Sequence, residues 1–244
     1  MEVITSLDNK RIKNASKLLN KKYRDEEAKF LIEGEHLVEE AYKAGILLEV
    51  FMCEDMDMKL DVPTTYVTYD VIKKLSNTVN PQRIVGVAKK LEEKELGNKI
   101  LVLDDIQDPG NLGTIIRSSL AFGIDSIVLS PNTVDMYNDK VLRSSEGMIF
   151  HINIVRRDLF ELIDKLKEDN YEILGTSVSV GMYVDKVELN NKYALIMGNE
   201  GNGVHEEILD MCDNYLYIPM NNKVESLNVA VATSIILYEF NKRG

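Results

Sequence analysis

The chain has no tryptophan, only two cysteines and only three histidines among its 244 residues. The thiols of Cys53 and Cys212 are too few for a disulfide framework or for a cysteine-based metal site. The histidines, His36, His151 and His205, are scattered along the sequence. We therefore expect neither structural disulfides nor a bound metal.

The sequence also lacks long apolar runs and a targeting segment. No apolar run approaches the roughly 20 residues that a membrane-spanning helix needs. The first residues, MEVITS, do not form the basic and then apolar pattern of a signal peptide. Because 45% of the residues are hydrophobic and 28% are charged, the composition is that of a soluble globular protein. We expect a cytoplasmic protein without a membrane partner.

Positive charge is scarce overall, since the formal net charge is −11. This balance argues against binding of nucleic acid by the whole surface, because phosphate contacts need Lys and Arg. Residues 10–24 (KRIKNASKLLNKKYR) are the exception, with seven basic residues and no acidic one. Charge alone leaves two interpretations open, a local RNA-binding segment and a solvated helix face.

A polar, charged segment at residues 91–98 (LEEKELGN) predicts a boundary between two α/β domains, 1–95 and 98–244. In the first, the patterns predict helices at 9–23, 36–44 and 71–75, and strands at 30–32, 48–52, 64–68 and 84–88. In the second, they predict strands at 100–104, 126–130, 152–155, 171–176, 193–197 and 215–218, and helices at 112–122, 139–147, 158–168, 205–212 and 227–241. Strands separated by such helices indicate a parallel sheet covered on both faces. The residues alone favour an unknotted, doubly wound sheet.

Three polar stretches directly follow apolar, strand-like runs of the second domain. They lie at residues 105–117, 197–203 and 218–228. Ligands of open α/β sheets bind at the carboxyl ends of the strands. The three stretches therefore predict a single site.

The first stretch combines a turn with the start of a helix. Asp108-Pro109-Gly110 is strong turn chemistry, and Asn111 would fall at a helix N-terminus, where its side chain could cap the free amides. Arg117 follows six residues later, and a helical arginine is usually solvated. The residues by themselves leave structural and functional roles open for both side chains.

The second stretch is the glycine-rich Gly198-Asn-Glu200-Gly-Asn-Gly203. It lacks the Gly-Lys-[Ser/Thr] of a phosphate-binding loop, and it lies too late in the chain for a dinucleotide fingerprint. Glu200 would repel phosphate, but a carboxylate suits a neutral adenosine or a sulfonium. The structural alternative is a mobile turn with a solvated glutamate.

The third stretch joins the end of a strand at Ile218-Pro219-Met220 to the start of a helix at Ser226-Leu227-Asn228. Residues 229–240 (VAVATSIILYEF) are apolar nearly all round, which predicts burial on most sides. This is either a core helix or a helix that a second subunit covers.

Together and in this order, the three stretches resemble the signature motifs of the SpoU/TrmH RNA ribose 2′-O-methyltransferases, in the SPOUT superfamily. The family pattern Asp-Pro-x-Asn-x-Gly-x-x-x-Arg is matched at Asp108, Pro109, Asn111, Gly113 and Arg117. The resemblance extends to Arg-x-Ser-x-Gly at residues 143–147, and to the family's N-terminal substrate-binding domain at residues 30–41 and 81–89.

The resemblance implies a small N-terminal α/β RNA-binding domain followed by a parallel-sheet α/β SPOUT domain with a deep trefoil knot. It implies a homodimer that uses S-adenosyl-L-methionine and methylates structured RNA, with ribosomal RNA preferred and transfer RNA second. It places Gly198, Ile218 and Leu227 on the cofactor. The same resemblance assigns the reaction centre to Asn111, Arg117, Glu200, Ser226 and Asn228.

The implied reaction needs a group that assists loss of the ribose 2′-hydroxyl proton. The resemblance gives this role to Arg117, although a guanidinium is normally a donor only, so it could instead stabilise the alkoxide or hold a phosphate. Glu200 is the other conceivable proton acceptor. Two competing functions stay open at this level: a non-catalytic RNA-binding SPOUT protein and an unrelated nucleotide-binding α/β enzyme.

Overall fold

The computed structural model describes residues 3–178 and 180–243. The chain divides into two compact units, Met1–Glu92 and Glu93–Gly244, so the division falls within the polar segment 91–98. Each helix found in the described residues is too short or too polar to cross a lipid bilayer.

The N-terminal unit is built on a mixed five-stranded sheet. Its strands, in the order β1-β4-β3-β5-β2, pair in parallel from β1 to β3 and antiparallel from β3 to β2. Their bounds are β1 (Val3–Ile4), β2 (Lys29–Glu33), β3 (Leu47–Met52), β4 (Thr64–Val67) and β5 (Ile84–Lys89). The helices are α1 (Lys10–Lys17), α2 (Lys21–Glu27), α3 (Glu35–Lys43) and α4 (Tyr69–Lys74).

Helices α1 and α4 bury their apolar sides in one core with the sheet. Ile12 of α1 and Ile72 of α4 share this core with Phe51 of β3 and with Val85 and Val87 of β5. Val85 and Val87 are two residues apart, as the alternation of side chains along a strand requires.

The single helix predicted at residues 9–23 is wrong, because the chain forms α1 and α2 with a break between them. The side chain of Asn20 caps α2 by accepting a hydrogen bond from the amide of Lys22. The buried guanidinium of Arg24 reaches back and donates to the carbonyls of Leu18 and Leu19. These bonds satisfy carbonyl groups that the end of α1 leaves without a helical partner.

The C-terminal unit is built on a seven-stranded sheet in the order β10-β12-β9-β11-β6-β7-β8, and its paired strands are all parallel. Its strands are β6 (Lys99–Leu103), β7 (Ser126–Leu129), β8 (Asn153–Arg156), β9 (Glu172–Thr176), β10 (Met182–Tyr183), β11 (Tyr193–Met197) and β12 (Asn214–Tyr217). Its helices are α5 (Pro109–Ala121), α6 (Asp139–Ser144), α7 (Leu159–Glu168), α8 (Glu206–Leu209) and α9 (Val229–Asn241), with a 3₁₀ helix at Met148–His151.

Helices cover both faces of this sheet, which confirms the predicted α/β architecture. Ala194 of β11 shares a core with Ile163 of α7. Its neighbour Tyr193 points to the opposite face and makes an edge-to-face ring contact with Phe240 of α9, at a centroid distance of 5.4 Å. The trefoil knot that the resemblance implies stays a prediction.

Several elements differ from the predicted pattern. Helix α5 begins at Pro109, three residues before the predicted start, because Asp108 and not a later residue caps it. Helix α8 is a single turn that ends at Leu209. Strands β1 and β10 were not predicted, since two residues are too few to display an alternating pattern.

Candidate functional site

The first two polar stretches emerge side by side because β6 and β11 are neighbours in register. Leu103 pairs with Met197 at the ends of the two strands, and the amide of Asp104 donates to the carbonyl of Met197 at 2.9 Å. The residues that follow Leu103 and Met197 therefore leave the sheet at the same edge, as the carboxyl ends of parallel strands do.

The carboxylate of Glu200 joins the second stretch to the first. It accepts hydrogen bonds from the backbone amides of Gln107 at 3.2 Å and Asp108 at 3.1 Å, and from Nδ2 of Asn111 at 2.9 Å. The third stretch joins through Asn228, whose Nδ2 donates to Oδ1 of Asn111 at 2.9 Å. One hydrogen-bonded network thus connects three of the five residues expected at the reaction centre, Asn111, Glu200 and Asn228.

Asn111 does not cap α5, contrary to the structural interpretation of its sequence position. The cap is Asp108, whose Oδ1 accepts from the amide of Asn111 at 2.9 Å, with Pro109 in the first helical position. The Asn111 side chain is therefore available for Glu200 and Asn228. Asn228 itself caps α9, since its Oδ1 accepts from the amide of Ala230 while its Nδ2 faces Asn111.

The environment of Glu200 keeps its carboxylate ionised. Burial raises the pKa of Glu200, but the hydrogen bonds from the Asn111 side chain and from neighbouring backbone amides outweigh it, and the net pKa is lowered. A carboxylate held by several donors is a poor proton acceptor, because protonation would break those bonds.

The loop that carries Glu200 is closed on itself. The amide of Asn199 donates to the carbonyl of Gly203, and the amide of Gly203 donates back to the carbonyl of Asn199, both at 2.9 Å. A Cβ on Gly198 would lie 2.0 Å from the backbone of Gly203 and Val204, so this close approach requires glycine. We refer to residues 198–203 as the GNEGNG loop.

A cavity of about 390 Å³ opens beside this loop, within the range typical of ligand sites. Gly198, Ile218 and Leu227, the three residues expected on the cofactor, all line it, as do Glu200 and Ser226. We call it the motif cavity.

The lining of the motif cavity fits S-adenosylmethionine. None of the described lining residues is Lys, Arg or His, whereas the acidic residues Glu200 and Glu225 are present. A sulfonium cation meets no repulsion in such a lining, and a phosphate finds no counter-charge there. Apolar side chains such as Met197 and Ile236 offer contacts for a neutral purine ring.

Arg117 stands apart from the network and from the cavity. It lies on α5 six residues after Asn111, about 240° around the helix axis. Its side chain is exposed, and among the described residues it forms no hydrogen bond or ion pair. One copy of the chain thus does not bring Arg117 to Glu200.

A largely apolar groove lies between α9 and α5, the helix that carries Arg117. Thr114 of α5 lines the groove together with Val231, Ile235 and Tyr238 of α9. Val231 is 48% exposed and Tyr238 is 51% exposed, although both are large hydrophobic side chains. We call this surface the α5/α9 face.

His205 and Asp104 form a pair that the sequence did not indicate. Nδ1 of His205 lies 2.8 Å from Oδ2 of the buried Asp104, and the His205 amide also donates to this oxygen at 2.9 Å. The hydrogen bond and the charge of Asp104 raise the pKa of His205. The pair fixes the chain that follows the GNEGNG loop to the end of β6.

Asp105 lies next to this pair, and the three side chains have ligand atoms within 4.8 Å of one another, although the sequence led us to expect no metal site. Their atoms are engaged internally: Oδ1 of Asp105 accepts from Ser130 Oγ and its Oδ2 from Asn132 Nδ2. We therefore interpret the group as a structural tether.

Several basic side chains of segment 10–24 form hydrogen bonds or ion pairs within the protein. Arg24 is buried and serves the end of α1, so it is not part of an RNA-binding surface. Arg11, Lys13 and Lys21 form exposed ion pairs with acidic residues, with N–O distances of 2.6–2.8 Å. Exposed pairs of this kind contribute little and exchange partners readily, so the lysines stay available to phosphates.

Two protein-family models match the chain, one in each unit. Residues 98–238 match the model described as the SpoU rRNA Methylase family. Residues 9–86 match the model described as the MRM3-like substrate binding domain.

Individual relatives cover nearly the whole chain. The 23S rRNA (guanosine(2553)-2′-O)-methyltransferase RlmP of Bacillus subtilis is 41% identical over 98% of both chains. A solved RNA 2′-O ribose methyltransferase is 30% identical, covers 99% of both chains and superposes with a TM-score of 0.85. The AdoMet-bound rRNA methyltransferase from Sinorhizobium meliloti is 28% identical, covers 99% of this chain and 97% of its own, and has a TM-score of 0.86.

Proposed function

This chain belongs to the SpoU rRNA methylase family, and on that premise we propose how its site works. It is an S-adenosylmethionine-dependent enzyme that methylates a ribose 2′-hydroxyl of ribosomal RNA. The observation that carries this function is the network through Glu200, Asn111 and Asn228, which joins the three motifs beside a cavity where no described lining residue is a cation.

We propose that Gly198, Ile218 and Leu227 hold the cofactor, because all three line the motif cavity. When bound there, S-adenosylmethionine supplies a methyl group that its sulfonium charge already activates. Glu200 and Glu225 favour that charge, and the fixed backbone of the GNEGNG loop sets the position of the ligand. The protein then contributes orientation of the RNA and help with the 2′-hydroxyl proton.

For the reaction centre, we propose that Glu200 is a positioning residue. Its bonds to Asn111 and to the amides of Gln107 and Asp108 fix the Asn111 carboxamide, and its lowered pKa makes it a weak base. Asn111 and Asn228 are bonded to this network and Ser226 lines the cavity, so we assign contact with the ribose to these three residues. This leaves Arg117 as the residue that stabilises the developing alkoxide or holds the adjacent phosphate.

Arg117 can act at the site if a second copy of the chain supplies it. We propose a homodimer that buries the α5/α9 face, since Val231 and Tyr238 are apolar and exposed there. Arg117 belongs to the same helix as this face, so docking of α5 against a partner brings its guanidinium next to the other copy.

We propose that the N-terminal unit, residues 1–95, binds the RNA substrate and that residues 98–244 form the methyltransferase domain. The match of residues 9–86 to a substrate-binding model supports this division. The exposed lysines of residues 10–24 supply phosphate contacts that an otherwise acidic chain lacks. A cytoplasmic site of action follows, because ribosomal RNA is found there.

Titration calorimetry with S-adenosylmethionine and mapping of 2′-O-methylation test this function together. We expect 1:1 binding per chain, and loss of one ribosomal 2′-O-methyl group when the gene is deleted. Restoring the wild-type gene should restore that methyl group, whereas a Glu200→Gln gene should restore it poorly. Absence of binding at millimolar cofactor, or a lost methyl group that maps to a base or to transfer RNA, would contradict the proposal.

A further inference from the structure

Two tyrosines pair at the rim of the motif cavity, and the reaction described above does not use them. Tyr217 ends β12 and lines the cavity, and Tyr183 lies beside it in β10. Their ring centroids are 4.7 Å apart, with 39° between the ring planes. Tyr183 is 45% exposed, so part of its ring is open to solvent beside the cavity.

The backbone around Tyr183 is firmly held. Gly181 has a φ of +119°, and a Cβ there would lie 2.3 Å from the carbonyl oxygen of Tyr215, so only glycine lets the chain approach β12 this closely. After the tyrosine, the guanidinium of Arg243 donates to the carbonyls of Val184 and Val187. The ring of Tyr183 is thus presented from a fixed position and not from a free loop.

The segment that leads to Tyr183 is apolar and uncharged from residue 176 to residue 184. Val178, Val180 and Met182 are 61%, 57% and 37% exposed, and Val178 also lines the motif cavity. Residues 176–184 contain no charged side chain, and the charged residues that follow them, Asp185 and Lys186, pair with each other at 3.5 Å. The patch therefore continues the apolar part of the cavity outward.

We propose that Tyr183 and Tyr217 form a stacking platform for the base of an unpaired nucleotide whose ribose lies at the motif cavity. This inference rests on the proposed function, since a methylated ribose must reach the cavity and its base must lie beside it. Proteins recognise unpaired RNA bases by stacking them on aromatic side chains. An uncharged surface suits a base, while the phosphates on either side can reach cations elsewhere.

The absence of tryptophan from the chain allows a direct test of contact. A Tyr183→Trp variant carries a single tryptophan and keeps an aromatic surface, so it should retain methyl transfer. Stacking of a base should quench its fluorescence when an RNA containing the target loop is added. The control is Phe160→Trp, at an equally exposed position on α7, 48% for the native side chain, and it should not respond.

A second experiment separates stacking from a structural role. Tyr183→Ala should raise the KM for RNA roughly 10-fold, as loss of one base–aromatic contact does, while Tyr183→Phe should remain near wild type because the ring is kept. Calorimetry should give unchanged affinity for S-adenosylmethionine in both variants. Phe160→Ala is the control for loss of an exposed aromatic ring.

Three results would overturn the platform while leaving the proposed function intact. The first is fluorescence of Tyr183→Trp that RNA does not quench, although the variant still binds and methylates RNA. The second is an unchanged KM for RNA in Tyr183→Ala. The third is that Tyr183→Ala mainly lowers cofactor affinity or breaks the dimer. A wild-type chain that binds no cofactor would instead count against the proposed function.

Discussion

Nδ2 of Asn111 donates a 2.9 Å hydrogen bond to Oε1 of Glu200, across 89 residues of sequence. The bond explains why a half-buried asparagine and an exposed glutamate belong together. Asp108 takes over the helix cap, which releases Asn111, and Glu200 then fixes the orientation of the released carboxamide. The same carboxamide accepts from Asn228, so its orientation decides the geometry of the third motif as well.

Glu200→Gln should disturb this network even though the side chain keeps its size. The new amide nitrogen faces donors, and a charge-assisted acceptor is lost, which typically costs about 1.5–3 kcal/mol for a buried bond and less at this exposed position. We expect single-turnover methyl transfer to fall at least about 10-fold, and urea unfolding to show a loss of up to about 1 kcal/mol.

Glu225→Gln is the matched control for this change. It removes the same charge from the lining of the same cavity, but Glu225 forms no hydrogen bond among the described residues. Its activity should stay within a few-fold of wild type. Equal losses of activity in the two variants would show that charge alone matters.

The contribution of Glu200 to stability should also depend on pH. Because the pKa of Glu200 is lowered on folding, its stabilisation should be present above about pH 4.5 and be lost as the pH falls through the lowered value.

Arg117→Ala should nearly abolish methyl transfer while cofactor affinity stays within a few-fold. The guanidinium lies outside the motif cavity, so it has no contact with the cofactor to lose. Single-turnover rates should fall by at least about 10²-fold if Arg117 stabilises the alkoxide. Arg117→Lys should remain impaired, because a lysine lacks the planar fork. Near-normal activity of Arg117→Lys would make this assignment wrong.

Val231→Asp should convert a dimer into a monomer, since it places a charge in the α5/α9 face. Sedimentation equilibrium at micromolar concentration gives the mass directly. Phe160→Asp is the control, because Phe160 and Val231 are both 48% exposed but Phe160 lies on α7, outside this face. A monomeric wild-type chain would rule out the proposed dimer.

Mixing two inactive variants tests whether the site is shared between copies. If Arg117 of the partner subunit completes each site, heterodimers of Arg117→Ala and Glu200→Gln contain one intact site. Random exchange of subunits should then restore about a quarter of the wild-type rate. If both residues act within one subunit, the mixture should stay as inactive as its components.

His205 should titrate above its usual pKa of 6.5, and Asp104→Asn should bring it back down. Proton NMR of the His205 imidazole in the wild type and in Asp104→Asn measures both values. A raised folded-state pKa means that the pair stabilises fully below about pH 6.5 and that its contribution is lost as the pH rises through the raised value. Since the His205 side chain is 50% exposed, we expect about 0.5 kcal/mol at most. An unshifted His205 would contradict the tether.

Changing Lys13, Lys17 and Lys21 together to Gln should weaken binding to all RNAs similarly. Phosphate contacts position RNA without reading its sequence, and each lost contact should reduce the salt slope of log K by roughly 0.7–0.9. Arg24→Gln is the contrasting variant. It should lower stability by about 1–3 kcal/mol, because it leaves carbonyls at the end of α1 without a donor, and the salt slope should not change. An unchanged slope in the triple variant would place the RNA elsewhere.

The elements that position the site were predictable from the sequence for a physical reason. Buried parallel strands have both faces covered, so they appear as continuous apolar runs such as Tyr193–Met197. The polar stretches that follow such runs must leave the sheet at one edge. This is how the sequence predicted that residues around Asn111, Glu200 and Ser226 share a site.

The sequence could not show which of two suitable residues caps a helix, where a helix breaks, or which distant residues pair. Asp108 and Asn111 are both favoured helix caps, and the choice depends on Pro109 taking the first helical position. The break between α1 and α2 depends on Arg24 reaching back to Leu18, which a helical pattern does not reveal. His205 and Asp104 meet across 101 residues, so no local spacing could have indicated the pair.

The reciprocal bonds between Asn199 and Gly203 have a consequence for how fast the cofactor binds. A loop that is already closed loses little conformational entropy on binding, so ordering it adds no slow step. Amide hydrogen exchange in the GNEGNG loop should then be protected before any ligand is added, and the association rate should depend weakly on temperature. The loop is thus a preformed part of the binding site, and the ligand adapts its torsion angles to it.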